Sequence, residues 1–353
     1  MRLTKADWAA LLATLAVAGV GGVVATALHL PLGFMLGSIV LVGLIAGFGL
    51  KISGRGVFLP QKLRMSFIPV IGVVIGGAFT PEVAGQVLGW WISLLALLMY
   101  VPVAHAVGFA IYSAGGLDRP TAFFAAVPGG LIESIDLAEA AGANVPMAAT
   151  LHFLRLIGTI LCVPLIFTVL TGHSVGSASG IKVAGSGLPL GLWDAGVLIA
   201  AGVLGWAGGR VLRLPAYWLT GPLIASALAH GLGWVHGVPP GWLVAVTQVV
   251  VGGGLGARFA GVGGAILRRA VGLSLLYGVA ILSVAFGFAL VVQGLGVAPL
   301  AAAFLAFAPG GVAEMSLIAL SLQYSLVFVT LHHVARILIA VMVAKYGYRF
   351  LRE

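Results

Sequence analysis

The chain has 353 residues, of which 61% are hydrophobic and 8% charged, whereas soluble domains carry about a quarter charged residues. So little charge cannot cover a water-facing surface, which excludes a soluble globular protein and makes lipid the main solvent. The net charge of +9 does not indicate nucleic acid, because the basic residues stand singly or in pairs along short loops rather than in a patch interleaved with aromatic rings.

Arg2 and Lys5 precede an apolar run that starts at Trp8 and ends in Ala25-Thr26-Ala27, a pattern that imitates a signal peptide. The run is too long for a signal core and has a counterpart at Trp193 to Val211, so a retained helix is expected. Leu28-His29-Leu30-Pro31 and Gly37 come next, opening an apolar segment over 32–50 that is short for a crossing. Gly72, Gly76 and Phe79 lie in the following apolar run, and the four-residue glycine spacing suits close approach of two helix backbones. Pro128-Gly129-Gly130-Leu131-Ile132-Glu133 then interrupts an apolar stretch, and His152 and Arg155 sit three residues apart in the helix after it. Cys162, the single cysteine, lies inside an apolar run, which excludes an intramolecular disulfide and a cysteine-rich metal site. Residues 172–189 are rich in Gly and Ser without helical period, as in a flexible connector.

The second half repeats the first. Leu212-Arg213-Leu214-Pro215 with Gly221 matches the opening motif, with the same step from proline to glycine. Gly252, Gly256 and Phe259 match the glycine run, and Gly205/Gly209 offers a further close-packing pair. Pro309-Gly310-Gly311-Val312-Ala313-Glu314 matches the interrupted stretch, with Arg336 following as far behind it as Arg155 follows the first. The spacing to arginine pairs His152 with His333, whereas the Thr-Leu-His match pairs it with His332, and the residues alone leave that open. Repeats over 1–171 and 190–353, joined by 172–189, are expected.

Each half thus holds about five transmembrane helices plus the Pro-Gly-Gly segment, which either dips into the bilayer or crosses it. If it is re-entrant the halves have inverted topology, and every loop Lys and Arg except Lys182 falls on the cytoplasmic side, with both termini. If both segments cross, Arg210, Arg213, Arg258, Arg268 and Arg269 move outside. The basic residues therefore favour an all-α membrane protein of two inverted-topology repeats in the cell inner (plasma) membrane.

Proline followed by two glycines leaves backbone groups without helical partners, a cost that lipid cannot relieve, so such a break lines a cavity. Short helices restarting at Leu131 and Val312 point free N–H groups and positive dipole ends toward it, which favours an anion. Pro128, Gly129, Gly130, Pro309, Gly310 and Gly311 are the expected substrate-binding backbone. Arg155 and Arg336 are the expected substrate-binding side chains, since an unpaired charge in an apolar helix costs about 2.5 kcal/mol or more and must face a carboxylate, a cavity or an anion. A fixed Glu/Arg salt bridge is the structural alternative. Glu133 and Glu314 stand in the first turn of the restarted helices, where a carboxylate binds a coupling cation, carries a proton or caps the helix. His152 and His333 are candidate proton relays or hydrogen-bonded neighbours of the arginines.

PGGLIE with LHFLR, PGGVAE with HHVAR, and the LxLPxxxLxG opening of each half resemble the AbrB-type duplicated membrane proteins, which are often labelled ammonia monooxygenases or regulators and are unrelated to the soluble DNA-binding protein of that name. The resemblance covers nearly the whole chain. It implies kinship with the broad group of cation/proton antiporters and anion transporters, whose inverted repeats contain broken helices.

The expected function is a secondary active transporter moving a small, anionic metabolite by alternating access with H⁺ or Na⁺ coupling. A passive channel for a neutral species such as ammonia is the alternative, and a metal-dependent membrane monooxygenase a second. The scattered His and Glu show no recognised metal-ligand spacing, so neither enzyme activity, nor a bound cofactor, nor a metal site is expected. The expected partners are a small-molecule substrate and the lipid bilayer, without nucleic acid. Small-residue faces and the folds of similar carriers make a homodimer a candidate assembly.

Overall fold

The computed structural model describes residues 4–30, 32–52, 54–79, 85–171, 190–214, 216–262 and 264–352. The expected connector at 172–189 lies outside the described residues, as do Pro31 and Pro215 of the opening motifs. Among the described residues the protein is all-α, with no strand beyond one isolated bridge between Ile52 and Arg55.

Before the connector come α1 (Lys5–Ala27), α2 (Gly33–Gly47), α3 (Gln61–Gly76), α4 (Trp91–Ala114), α5 (Arg119–Ala125), α6 (Leu131–Ala140) and α7 (Val145–Thr171). After it come α8 (Leu192–Val211), α9 (Tyr217–Gly231), α10 (Gly241–Gly256), α11 (Gly264–Gly294), α12 (Leu300–Phe307), α13 (Val312–Ser321) and α14 (Leu326–Arg352). Four of the seven lengths recur at the same place on both sides. The second and third helices have 15 and 16 residues in each series, the sixth 10 and the last 27.

Among the described residues, seven helical spans are long and apolar enough to cross a bilayer: Ala6–Ala27, Val87–Ala114, Val145–Leu170, Leu192–Val211, Gly241–Phe259, Ile266–Gly294 and Leu326–Arg349. Helices α2, α3 and α9, at 15–16 residues, reach only about 24 Å at 1.5 Å per residue, short of the roughly 30 Å hydrocarbon core.

The chain divides into two compact units. Met1–Gly85, Pro164–Gly261 and Ser316–Val327 form the first, and Gln86–Val163, Val262–Met315 and Phe328–Glu353 form the second.

Glycine builds the first unit. A Cβ on Gly72 would stand 2.5 Å from the Leu219 carbonyl oxygen, and one on Gly76 2.5 Å from that of Leu223, so α3 lies with its backbone on α9. A Cβ on Gly252 would meet the Met35 carbonyl at 2.6 Å and one on Gly256 the Ile39 carbonyl at 2.7 Å, which sets α10 on α2 in the same way. Gly21 of α1 abuts Gly37 of α2, and Gly205 of α8 abuts Gly221 of α9. Lipid supplies no hydrophobic drive between helices, so dispersion over such close contacts holds them. Hydroxyls add to the close contacts, Ser38 donating to the Ala18 carbonyl (2.7 Å) and Ser226 to that of Val73 (2.8 Å).

The turns use the left-handed conformation at paired positions. His29 and Arg213 are left-handed at φ 57° and 54°, and Leu32 and Ala216 at 48° each. The glycine pairs Gly49/Gly233 and Gly116/Gly296 do the same. At His29 the next N–H, of Leu30, bonds the Ala25 carbonyl (2.9 Å), and at Arg213 that of Leu214 bonds the Gly209 carbonyl (2.9 Å), each closing its helix in a Schellman-type end. A side chain there costs about 1 kcal/mol relative to glycine. His29→Gly and Arg213→Gly are therefore each expected to raise thermal stability in detergent by roughly that amount, whereas Gly233→Ala should lower it.

Candidate functional site

The site is built in the second unit. Asp118 caps α5, its Oδ2 accepting from the Thr121 N–H (3.1 Å) and hydroxyl (2.9 Å). The Thr121 oxygen accepts the Asn144 N–H (2.7 Å), and Asn144 Oδ1 accepts that of Met147 (3.0 Å) at the start of α7. The beginnings of α5 and α7 are thereby tied, which sets Arg155 against the far end of α5.

Helical structure stops at Ala125 and restarts at Leu131, and stops again at Phe307 and restarts at Val312. The carbonyls left over at the ends of α5 and α12 are the ones the arginines take. Arg155 Nη1 donates to the Val127 carbonyl (2.5 Å), and His152 Nε2 bonds that of Phe124 (2.9 Å). Arg336 donates to the carbonyls of Ala308 and Gly310, the latter at 2.7 Å, and His333 Nε2 bonds that of Leu305 (2.8 Å). Within each pair the remaining histidine nitrogen faces the guanidinium, at 3.3 Å for His152 and 3.0 Å for His333. Both clamps span 28 residues from ring or guanidinium to carbonyl.

This geometry decides which histidine corresponds to His152. It is His333. His332 instead bonds the Ser93 hydroxyl (2.8 Å) and the Phe328 carbonyl (2.7 Å). In the two clamps Nε2–H donates to a carbonyl and Nδ1 accepts from arginine, so both ring nitrogens are engaged and the rings orient the guanidiniums.

Arg155 is 6% exposed and Arg336 2%. Among the described residues their hydrogen bonds run to carbonyls and histidines, and the ion pair seen is Asp7 with Arg55 (2.5 Å), far along the chain. The fixed Glu/Arg salt bridge is thus not what holds them. Their Nε atoms are buried without a partner.

Pro128, Gly130, Pro309 and Gly310 are buried, and Gly129 and Gly311 half-buried. Gly130 is left-handed, at φ 60°, and α6 starts from it with no side-chain cap. A Cβ on Gly129 would lie 3.3 Å from that of Ala340 and 3.5 Å from the Ile337 Cα, so the first break abuts α14 one turn beyond Arg336. Because Arg336 holds the carbonyls of the second break, the two breaks share that stretch of α14.

Glu133 and Glu314 both occupy the first turn of their helices. The Glu314 carboxylate folds back over Gly311, filling the space a Cβ there would need, and a Glu133 oxygen comes within 3.5 Å of the equivalent position on Gly130. Glu133 is nonetheless exposed and Glu314 only 7% exposed. Asp136 and Glu139 are exposed.

Sequence reasoning passed over three residues here. Tyr277 of α11 donates to the Ala104 (3.2 Å) and Ala126 (2.8 Å) carbonyls. His105 and Tyr100 of α4 are 6% and 0% exposed. The signal available for His105 was an ionisable ring in the middle of an apolar span; Tyr277 has no counterpart in the first half and gave none.

An all-α chain with bilayer-length apolar helices and guanidiniums buried within them is a multi-pass integral membrane protein. The family model described as "Transition state regulatory protein AbrB" matches residues 41–352, and the chain belongs to that family. It is similar to "Uncharacterized protein YhjN" of Bacillus subtilis (strain 168), at 24% identity over 96% of this chain and 92% of that one. It is also similar to "Putative regulator AbrB" of Escherichia coli (strain K12), at 23% identity over 66% of this chain and 65% of that one.

Proposed function

We propose that this protein is a secondary active transporter that moves a small anionic metabolite by alternating access, coupled to H⁺ or Na⁺. The observation that carries the reading is the pair of buried arginines whose terminal nitrogens are spent on the carbonyl ends of α5 and α12. With those negative helix ends neutralised, the N–H groups at the starts of α6 and α13 leave the breaks electropositive. An anion is the solute such a place stabilises.

In this reading Pro128, Gly129, Gly130, Pro309, Gly310 and Gly311 supply backbone to the solute, and Arg155 and Arg336 hold those breaks open and supply charge. Glu133 and Glu314 carry the coupling ion, and His152 and His333 keep the guanidiniums in place. The matched helix lengths, the paired left-handed turns and the two equivalent clamps support two repeats. The basic loop residues favour inverted topology with both termini cytoplasmic, in the inner membrane. Among the described residues no three His, Cys, Asp or Glu side chains gather as a metal-ligand set, and the reading assigns the chain no metal chemistry.

Reconstitution into liposomes tests this. Solute flux is expected to follow an imposed H⁺ or Na⁺ gradient and to be lost in Glu133→Gln and Glu314→Gln proteins that still fold. Flux indifferent to both gradients would make the protein a passive channel instead.

A further inference from the structure

Helix α4 turns one stripe inward, comprising Leu97, Tyr100, Val101, Ala104, His105, Gly108 and Tyr112 among others. Most of it is packed as expected. Tyr100 stands edge-on to Phe307 with ring centroids 5.4 Å apart, and His105 edge-on to Phe123 at 4.4 Å. Yet the Tyr100 hydroxyl and both nitrogens of His105 have no hydrogen-bond partner, and neither do the Nε atoms of Arg155 and Arg336. The two α4 side chains lie at opposite edges of the stripe. Phe307, which Tyr100 meets, directly precedes the Ala308 whose carbonyl Arg336 holds, and Phe123, which His105 meets, directly precedes the Phe124 whose carbonyl His152 takes, so each clamp has an unpartnered α4 group beside it.

Leaving such atoms bare costs about 1–3 kcal/mol each, and lipid offers them no partner. Four of them are donors, namely the Tyr100 O–H, one His105 N–H and the two arginine Nε–H groups. What they lack is acceptors next to positive charge.

We propose that Tyr100 and His105 complete the two arginine clamps as the solute-recognising side chains of this site, and that the solute is a small oxyanion of the carboxylate class. The inference rests on the carrier reading above and narrows it. A carboxylate offers four lone-pair positions and no donor, so it can accept from these unsatisfied donors. A cation would meet guanidiniums, and ammonia, with three N–H groups and one lone pair, would leave most donors unmet.

The test uses the full-length protein with Cys162→Ser, carrying Tyr100→Cys, His105→Cys or, as a buried control on the same stripe, Leu97→Cys. A charged, water-borne methanethiosulfonate is the probe, since thiol reactivity follows exposure to water. Positions 100 and 105 are expected to react about tenfold or more faster than 97. Sodium acetate, succinate or phosphate at matched ionic strength should slow at least one of them, and ammonium chloride neither. Reaction at 100 and 105 as slow as at 97 would overturn the inference, as would protection by neither acetate nor succinate.

Should the cysteine proteins not fold, thermal stabilisation by the same salts serves in their place. His105→Gln should keep that stabilisation and His105→Phe lose it, and equal stabilisation of the two would refute the assignment. Because labelling needs no transport, oxyanion protection without gradient-driven flux would sustain this inference while sinking the carrier reading.

Discussion

Arg336→Ala is expected to destabilise the protein by on the order of 3 kcal/mol or more in detergent, and to do so more than Arg155→Ala. The difference follows from the contacts. Removing Arg336 strands the carbonyls of Ala308 and Gly310 and one nitrogen of His333, whereas removing Arg155 strands the Val127 carbonyl and one nitrogen of His152. Each stranded acceptor is buried. Lysine should rescue little at 336, because a single ammonium on a flexible stem cannot span two carbonyls and an imidazole as a planar fork does. Thermal unfolding of Arg336→Ala, Arg336→Lys and Arg155→Ala measures this. An Arg336→Lys protein as stable as the parent would show that charge alone matters there.

The second large effect is steric. Gly72→Leu and Gly76→Leu are each expected to abolish the folded state or cost well over the roughly 1–3 kcal/mol of ordinary overpacking. The first added carbon meets a carbonyl of α9 at 2.5 Å in both cases, and main chain cannot swing aside as a side chain can. Gly252 and Gly256 stand in the same relation to α2 and should respond alike. Gly19 and Gly158 have nothing within 4 Å of an added Cβ, and alanine there should stabilise by up to about 1 kcal/mol through helix propensity. Expression level and melting temperature of the six variants, read side by side, separate close packing from a general intolerance of glycine replacement.

Much of this was legible in the sequence because lipid makes errors expensive. A chain with 8% charge has one solvent open to it, and Pro-Gly-Gly has no place in a continuous helix. The helix stops at Ala125 and Phe307 follow directly from that. The spacing from break to arginine likewise pointed to one clamp in each half. What the arginines hold was not legible, because a guanidinium serves a carboxylate, an anion or a carbonyl equally well, and only packing selects among them.

Two other features escaped for related reasons. The duplicated Thr-Leu-His triplet competed with the spacing to arginine, and hydrogen bonding to Leu305 rather than sequence likeness marks His333 as the counterpart of His152. The different exposure of Glu133 and Glu314 arises from tertiary surroundings that two nearly identical motifs do not encode. His105 stood in plain view within α4 but has no repeat partner, and a search guided by duplication looks past such residues.

The central claim is that the two Pro-Gly-Gly breaks meet around Arg336, and a cross-link tests it most directly. With Cys162→Ser as background, cysteines replacing Gly129 and Ala340 would place their Cβ atoms about 3.3 Å apart, close to the roughly 3.5–4.5 Å of a disulfide. Mild oxidation in membranes is expected to join them within one chain and protect both from a thiol mass tag. Two thiols that stay free and fully tagged would place the first break elsewhere and contradict the account.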